Sequence, residues 1–219
     1  MSTNVKISAA LVAAVLLGLV VTGWVTSPGS ADRPSTATGA DGEVPVVRED
    51  SHRLSTAENG QVTLVEFLDF ECESCRAAYP LVEELREEYA GEVSFVARYF
   101  PLPGHPNSET AAVAAEAAAQ QGAFEPTYRR LFETQESWSH QEASQADVFR
   151  GFAEDLGLDL DAYDRAVADP ATLERIEQDR HDGLALGVEG TPTFFLNGEL
   201  LVPTSVEQFR AAIEAELGG

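Results

Sequence analysis

Cys72 and Cys75 are the only cysteines in the 219 residues, and only Glu73 and Ser74 separate them. On a helix, positions i and i+3 share a face, so the two sulfurs can join as a disulfide or part as a dithiol with little backbone movement. A disulfide here closes a very small loop and constrains the unfolded chain far less than a long-range crosslink does, so a purely structural bridge explains the pair poorly. Zinc is no better served. The four histidines, His52, His105, His140 and His181, are scattered and supply no second ligand pair at zinc spacing. The pair therefore fits dithiol–disulfide exchange, with an inert disulfide and a metal site as the weaker readings, and neither a metal nor a cofactor is expected.

A strand and a helix must position these sulfurs. Val62, Leu64, Phe67, Leu68 and Phe70 make the preceding segment short and densely apolar, as a buried strand is. After Cys75 the period changes. Tyr79, Val82, Leu85 and Tyr89 recur at helical spacing among Glu83, Glu84, Arg86, Glu87 and Glu88, which predicts an amphipathic helix with one buried stripe. Cys72 falls at that helix's first turn, where unpaired backbone N–H groups and the dipole favour a thiolate. It is expected to be the exposed sulfur, with Cys75 one turn further in and shielded. Pro80 removes a hydrogen bond inside the helix and kinks it beyond the pair.

The rest of the chain supplies further elements. His52–Ser55 reads as a short edge strand, Asn59-Gly60 as a turn, and Val93–Phe100 as the strand after Gly91, stopped by Pro101, Pro103 and Gly104. Helical patterns follow. An alanine-rich run from Ala111 to Ala119 is capped by Asn107 or Ser108, and later segments are carried by Phe124, Tyr128, Leu131 and Phe132, by Val148, Phe149, Phe152 and Leu156, and by Tyr163 and Val167. Leu173, Ile176, His181, Leu184 and Leu186 lead through a long helix to Gly187. Residues 105–186 thus read as a helical insertion into one α/β layer. Gly187 to Leu201 runs GVEGTPTFFLNGELL, with Thr193–Leu196 a strand and Asn197-Gly198 a hairpin turn; Ser205 then caps a terminal helix whose Phe209, Ile213 and Leu217 face inward.

Strand, CxxC, helix with a proline five residues after the second cysteine, strand, helical segment, then Gly-Thr-Pro-Thr before a hairpin and a last helix: this order resembles the thioredoxin fold. More closely, it resembles the DsbA-like thiol:disulfide oxidoreductases with a helical insertion, of the membrane-tethered kind found in actinobacteria. The resemblance covers roughly Ser51 to Leu217. It implies an α/β fold, a redox-active Cys72/Cys75 disulfide, and a cis bond before Pro192 that brings Thr191 against the sulfurs and pairs its backbone with substrate. Glu66 stands six residues before Cys72, where thioredoxin-like proteins carry a buried acid, and its expected role is to accept the Cys75 proton during exchange. Glu73-Ser74 replaces the Pro-His of the strong oxidases. Asp69, expected to face water, joins Glu71 and Glu73 as negative charge opposing a thiolate, which predicts a weaker oxidant than the strongest members. His105 follows a Pro-Gly turn at the end of a strand, a position from which it can approach the site, but it reads first as a surface loop histidine.

Composition bounds the partners and the compartment. A formal charge of −23 leaves no basic patch and argues against nucleic acid and an anionic membrane surface, while 44% hydrophobic residues suffice for a packed core. Ile7 to Val25 is apolar, long enough to span a bilayer, and follows Lys6, the one lysine. That arrangement predicts an anchor over residues 1–26 with the N-terminus in the cytoplasm; a signal peptide cleaved near Gly29-Ser30-Ala31 and a secreted product is the rival. Residues 27–50 read as a flexible linker and 51–219 as the thioredoxin-like domain. The expected function is disulfide formation in exported proteins whose cysteine thiols are the substrates, with a quinone-coupled membrane partner, implied by the resemblance, reoxidising the pair. A reductase or isomerase of the same fold and a redox-silent binding or chaperone module are the alternatives.

Overall fold

Val62, Leu64, Val65, Phe67 and Leu68 are all buried, which an extended segment achieves only with protein packed on both of its faces. The computed structural model describes residues 36–39, 42–58 and 60–218 and places this segment, β4 (Val62–Leu68), at the centre of a sheet. Before it come β1 (Thr36–Gly39), β2 (Gly42–Pro45) and β3 (His52–Ser55). After it come α1 (Glu73–Glu88) and β5 (Val93–Tyr99). The helices α2 (Ser108–Ala119), α3 (Phe124–Trp138), α4 (Ala146–Asp155), α5 (Leu160–Ala168) and α6 (Pro170–Ala185) then precede β6 (Thr193–Leu196), β7 (Glu199–Leu201) and α7 (Val206–Leu217). The five-stranded sheet has the order β3-β5-β4-β6-β7. β4 and β5 are parallel, joined through α1, and all other neighbours are antiparallel. This is the α/β topology, with a helical insertion, that the resemblance implies.

Alternation along β4 and β5 divides the core between two faces. Val62, Leu64, Leu68, Val93, Phe95 and Tyr99 join Cys75, Val82 and Leu85 of α1, the helices of the insertion, and Phe209 and Ile213 of α7. Val65, Phe67, Val96, Phe100 and Phe195 form a smaller cluster on the opposite face with Val46, Val47 and Val188. Glu66 lies in register with Leu64 and Leu68, so its carboxyl shares the face that α1 covers. The β6–β7 hairpin turns through Asn197 at φ 49° and Gly198 at φ 89°, the left-handed pair a two-residue turn requires. Ser205 caps α7 by accepting a hydrogen bond from the Gln208 backbone N–H.

Three features depart from the sequence reading. The linker expected to reach Asp50 is ordered before that point: β1 and β2 pair as an antiparallel ribbon, and Val46 and Val47 are buried. The cause is Arg98. Fully buried on β5, it donates to the Pro45 and Val46 carbonyls while pairing with Asp179 and Asp182, and Arg48 meets Asp182 from the other side. Second, α6 forms over the expected long helical segment but turns acids rather than leucines inward. Leu173 and Leu184 are exposed, and its inward face carries Thr172, Ile176, Asp179, Asp182 and Gly183, because that face receives Arg98. Third, Asn107 is the N-cap residue of α2 but does not cap it with its side chain, which bonds across to the Gln141 and Ala143 carbonyls and the Gln145 N–H. No helix among the described residues is long and apolar enough to cross a membrane. The Ile7–Val25 run and Asn59 lie outside the described residues.

Candidate active site

The turn between β4 and α1 places Cys72 at the N-cap of α1 and Cys75 in its first turn. The two cysteines lie 3.9 Å apart. Both are buried, Cys72 at 5% and Cys75 at 0% exposure, so the expectation of an exposed Cys72 is corrected. The cover over it is the loop before β6. Thr191–Pro192 is a cis peptide, and the Cys72 thiol donates to the Thr191 carbonyl at 3.3 Å. Thr191 Oγ1 is buried without a hydrogen-bond partner among the described residues.

These neighbours separate the two sulfurs electrostatically. Cys72 is lowered to about 5, first by a hydrogen bond from Cys75, then by Thr191 and by the backbone N–H groups of Cys75 and Ser74 at the start of α1; burial opposes the shift. Burial pushes Cys75 up, and the hydrogen bond it gives to Cys72 and the charge of Glu66 add to the rise. One sulfur is thus a ready thiolate and the other a thiol. Glu66, 4% exposed, is raised to about 8 by burial first and then by the charges of Glu83 and Cys72. Its Oε2 has no hydrogen-bond partner among the described residues, consistent with a carboxyl that keeps its proton.

The acids expected to oppose the thiolate are occupied elsewhere. Asp69 does not face water: it is 2% exposed, because Oδ1 accepts the Glu71 N–H at 2.8 Å and Oδ2 accepts the Leu102 N–H at 3.1 Å and His105 Nδ1 at 2.6 Å. Glu71 is fully buried, each oxygen accepting a backbone N–H at 2.6 Å, from Asn107 and from His140. Glu73 is exposed and pairs with His140 at 2.8 Å. The helical insertion also grips the turn directly, since Gln135 Nε2 donates to the carbonyls of Phe70 at 2.7 Å and Cys72 at 3.0 Å.

The structure therefore gathers Cys72, Cys75, Glu66, Thr191 and Pro192 into one site. Sequence reasoning missed the burial of Asp69 and Glu71 and the grip of Gln135, and it set aside the approach of His105. The available signal was small: an acid two residues before another acid, just ahead of a cysteine, can fold back on its own backbone N–H groups. The other partners come from 33 or more residues away. Among the described residues no cluster of His, Cys, Asp and Glu has the makings of a metal site.

A family model described as Thioredoxin matches residues 52–215. The chain is similar to a thioredoxin-like oxidoreductase from Silicibacter pomeroyi, at 28% identity and TM-score 0.65, covering 78% of this chain and 95% of that one. The fold is shared with BdbD from Bacillus subtilis, at 22% identity and TM-score 0.67 over 75% of this chain and 92% of that one. It is shared also with α-DsbA1 from Wolbachia pipientis, at 19% identity and TM-score 0.68 over 78% and 93%. Among curated proteins, a Na(+)/H(+) antiporter NhaA of Herminiimonas arsenicoxydans is 38% identical over 159 residues, 73% of this chain and 24% of that protein. NhaA 3 of Salinispora tropica is 41% identical over 172 residues, 78% and 25%. The chain spans about a quarter of the length of these relatives.

Proposed function

The chain belongs to the thioredoxin family, and on that premise we propose that it is a DsbA-like thiol:disulfide oxidoreductase that introduces disulfides into exported proteins. The observation that carries this reading is the split between the two sulfurs, a Cys72 held as thiolate at a helix N-terminus beside the Thr191–Pro192 loop and a Cys75 held as thiol behind it. Stabilising the Cys72 thiolate stabilises the reduced protein, and that makes the disulfide form an oxidant. The carboxylates of Asp69, Glu71 and Glu73, expected to weaken the oxidant, are engaged by backbone N–H groups and histidines.

In the oxidising direction a substrate thiolate attacks Sγ of Cys72 in the Cys72–Cys75 disulfide. The S–S bond breaks, the electron pair leaves on Cys75, and Glu66, protonated below about pH 8, supplies the proton. A second substrate thiolate then attacks the substrate sulfur of the mixed disulfide, and Cys72 departs as thiolate. The substrate has lost two electrons and the protein has gained them. Regeneration runs through a membrane partner that accepts them, quinone-coupled in this proposal. The site of action is outside the cytoplasm, with Ile7–Val25 as the anchor, a location supported by the apolar run behind Lys6. Antiport is not carried over from relatives of which this chain spans about a quarter.

The test is oxidative refolding. Oxidised full chain is mixed with a reduced, unfolded protein of known disulfide content, and substrate disulfides are followed against Cys72→Ser. The proposal expects stoichiometric substrate oxidation that vanishes in the variant; equal rates with wild type and variant would show a redox-silent module instead.

A further inference from the structure

His105 reaches the site from outside the cysteine segment. It sits in the loop after β5, its side chain 15% exposed, with Nδ1 2.6 Å from Asp69 Oδ2. Asp69 holds both parties: its side chain takes the histidine, and its backbone carbonyl accepts the Cys72 N–H at 3.1 Å. The histidine and the nucleophile are thus tied to one buried residue. The ring also meets His140 edge-on at 5.6 Å, and His140 in turn pairs with Glu73, the residue after Cys72.

We propose that His105, anchored on Asp69, is the cation that stabilises the Cys72 thiolate, supplying from the β5–α2 loop the positive charge that the Glu73-Ser74 dipeptide lacks. The inference rests on the reading of Cys72 as the exchange nucleophile. His105 acts as a positioning residue through charge and forms no bond to the substrate. The acids around it and Cys72 favour its charged form, and Arg180 opposes it. Asp69, Glu71 and Cys72 come from the β4–α1 turn and Glu73 from α1, while His140 stands opposite on the α3–α4 loop. Glu109 of α2 and Glu177 and Arg180 of α6 line the same cleft. Burial works against protonation, but the hydrogen bond and charge of Asp69, followed by Cys72 and Glu71, outweigh it and hold His105 above its ordinary value. That coupling is mutual, since an anion at Cys72 that retains the His105 proton is itself retained by it.

The test is a pair of titrations on the full chain. NMR follows His105 in the reduced protein, the oxidised protein and Cys72→Ser; ultraviolet thiolate absorbance follows Cys72 in wild type and His105→Asn, whose amide Nδ2 can stand in for Nδ1 toward Asp69. The expected result is a His105 midpoint that falls when the Cys72 thiolate is removed, and a thiolate affinity for protons that rises about three- to tenfold in His105→Asn. A His105 midpoint identical in all three forms, or an unchanged Cys72 titration in a folded His105→Asn, overturns the inference and leaves the proposed function standing. A wild-type Cys72 that titrates like an ordinary thiol overturns both.

Discussion

Glu66→Leu should separate the role of Glu66 in exchange from its cost to stability. Its carboxyl sits on the α1 face of β4 beside Leu54, Leu64, Val82, Phe95 and Phe194, and burial lifts it from an ordinary 4.5 to about 8. At about 1.4 kcal/mol per pH unit, that interval corresponds to about 5 kcal/mol. The folded value lies above the unfolded one, so the contribution of Glu66 to stability is fully present below about pH 4.5 and is lost as pH rises through about 8. Leucine fills the apolar site and does not titrate. Guanidinium denaturation of the reduced proteins should therefore find the variant gaining on wild type between pH 5 and pH 8.5, by a total of about 4 kcal/mol, while other titrating groups cancel in the difference. Stability should not be the only readout. Without a proton donor and acceptor for Cys75, thiol exchange at pH 7 should slow by about 100-fold. A stability gap that stays constant across that pH range would refute a buried, neutral Glu66, and an unchanged exchange rate would refute its role in proton transfer.

Other perturbations probe the scaffold and the nucleophile. A chain begun at Ser51 loses buried Val46 and Val47 and leaves Arg98 without the Pro45 and Val46 carbonyls; it should be about 3–5 kcal/mol less stable in urea than one begun at Thr36. Gly183→Ala would put a Cβ 2.7 Å from the Phe100 ring and 3.1 Å from Phe67, and should cost about 1–3 kcal/mol in the same assay. Alkylation of reduced Cys72 should be fast and nearly flat above about pH 6 and should fall through about pH 5. Because that folded value is depressed from 9.0, the extra stability of the reduced form is fully present above about pH 9 and lost as pH falls through about 5. Comparing reduced and oxidised denaturation across this range checks it.

The sheet and α1 were legible because their signals are local. The apolar run of Val62–Phe70 and the helical recurrence of Val82 and Leu85 need no distant partner to be read. The Thr191–Pro192 loop was legible only through the order of elements around it, since Thr-Pro alone does not specify a cis bond. What could not be read depends on residues far apart in the chain. Asp69 is buried because Leu102 and His105 arrive from the far side of β5, and Glu71 because Asn107 and His140 do. Asp179 and Asp182 face inward against the apolar pattern of α6 because Arg98 waits there, and the same arginine draws Pro45 and Val46 out of a segment whose composition suggests a linker. Burial of charge is decided by its partner.

The reduction potential of the Cys72–Cys75 couple tests the central claim most directly, by equilibrating the full chain with glutathione buffers of known ratio and counting thiols. A thiolate stabilised as Cys72 is predicts a value at the oxidising end of the thioredoxin-like range, about −120 to −180 mV, where the disulfide is handed to substrates. A value near about −270 mV would contradict that account and make the protein a source of electrons for its substrates.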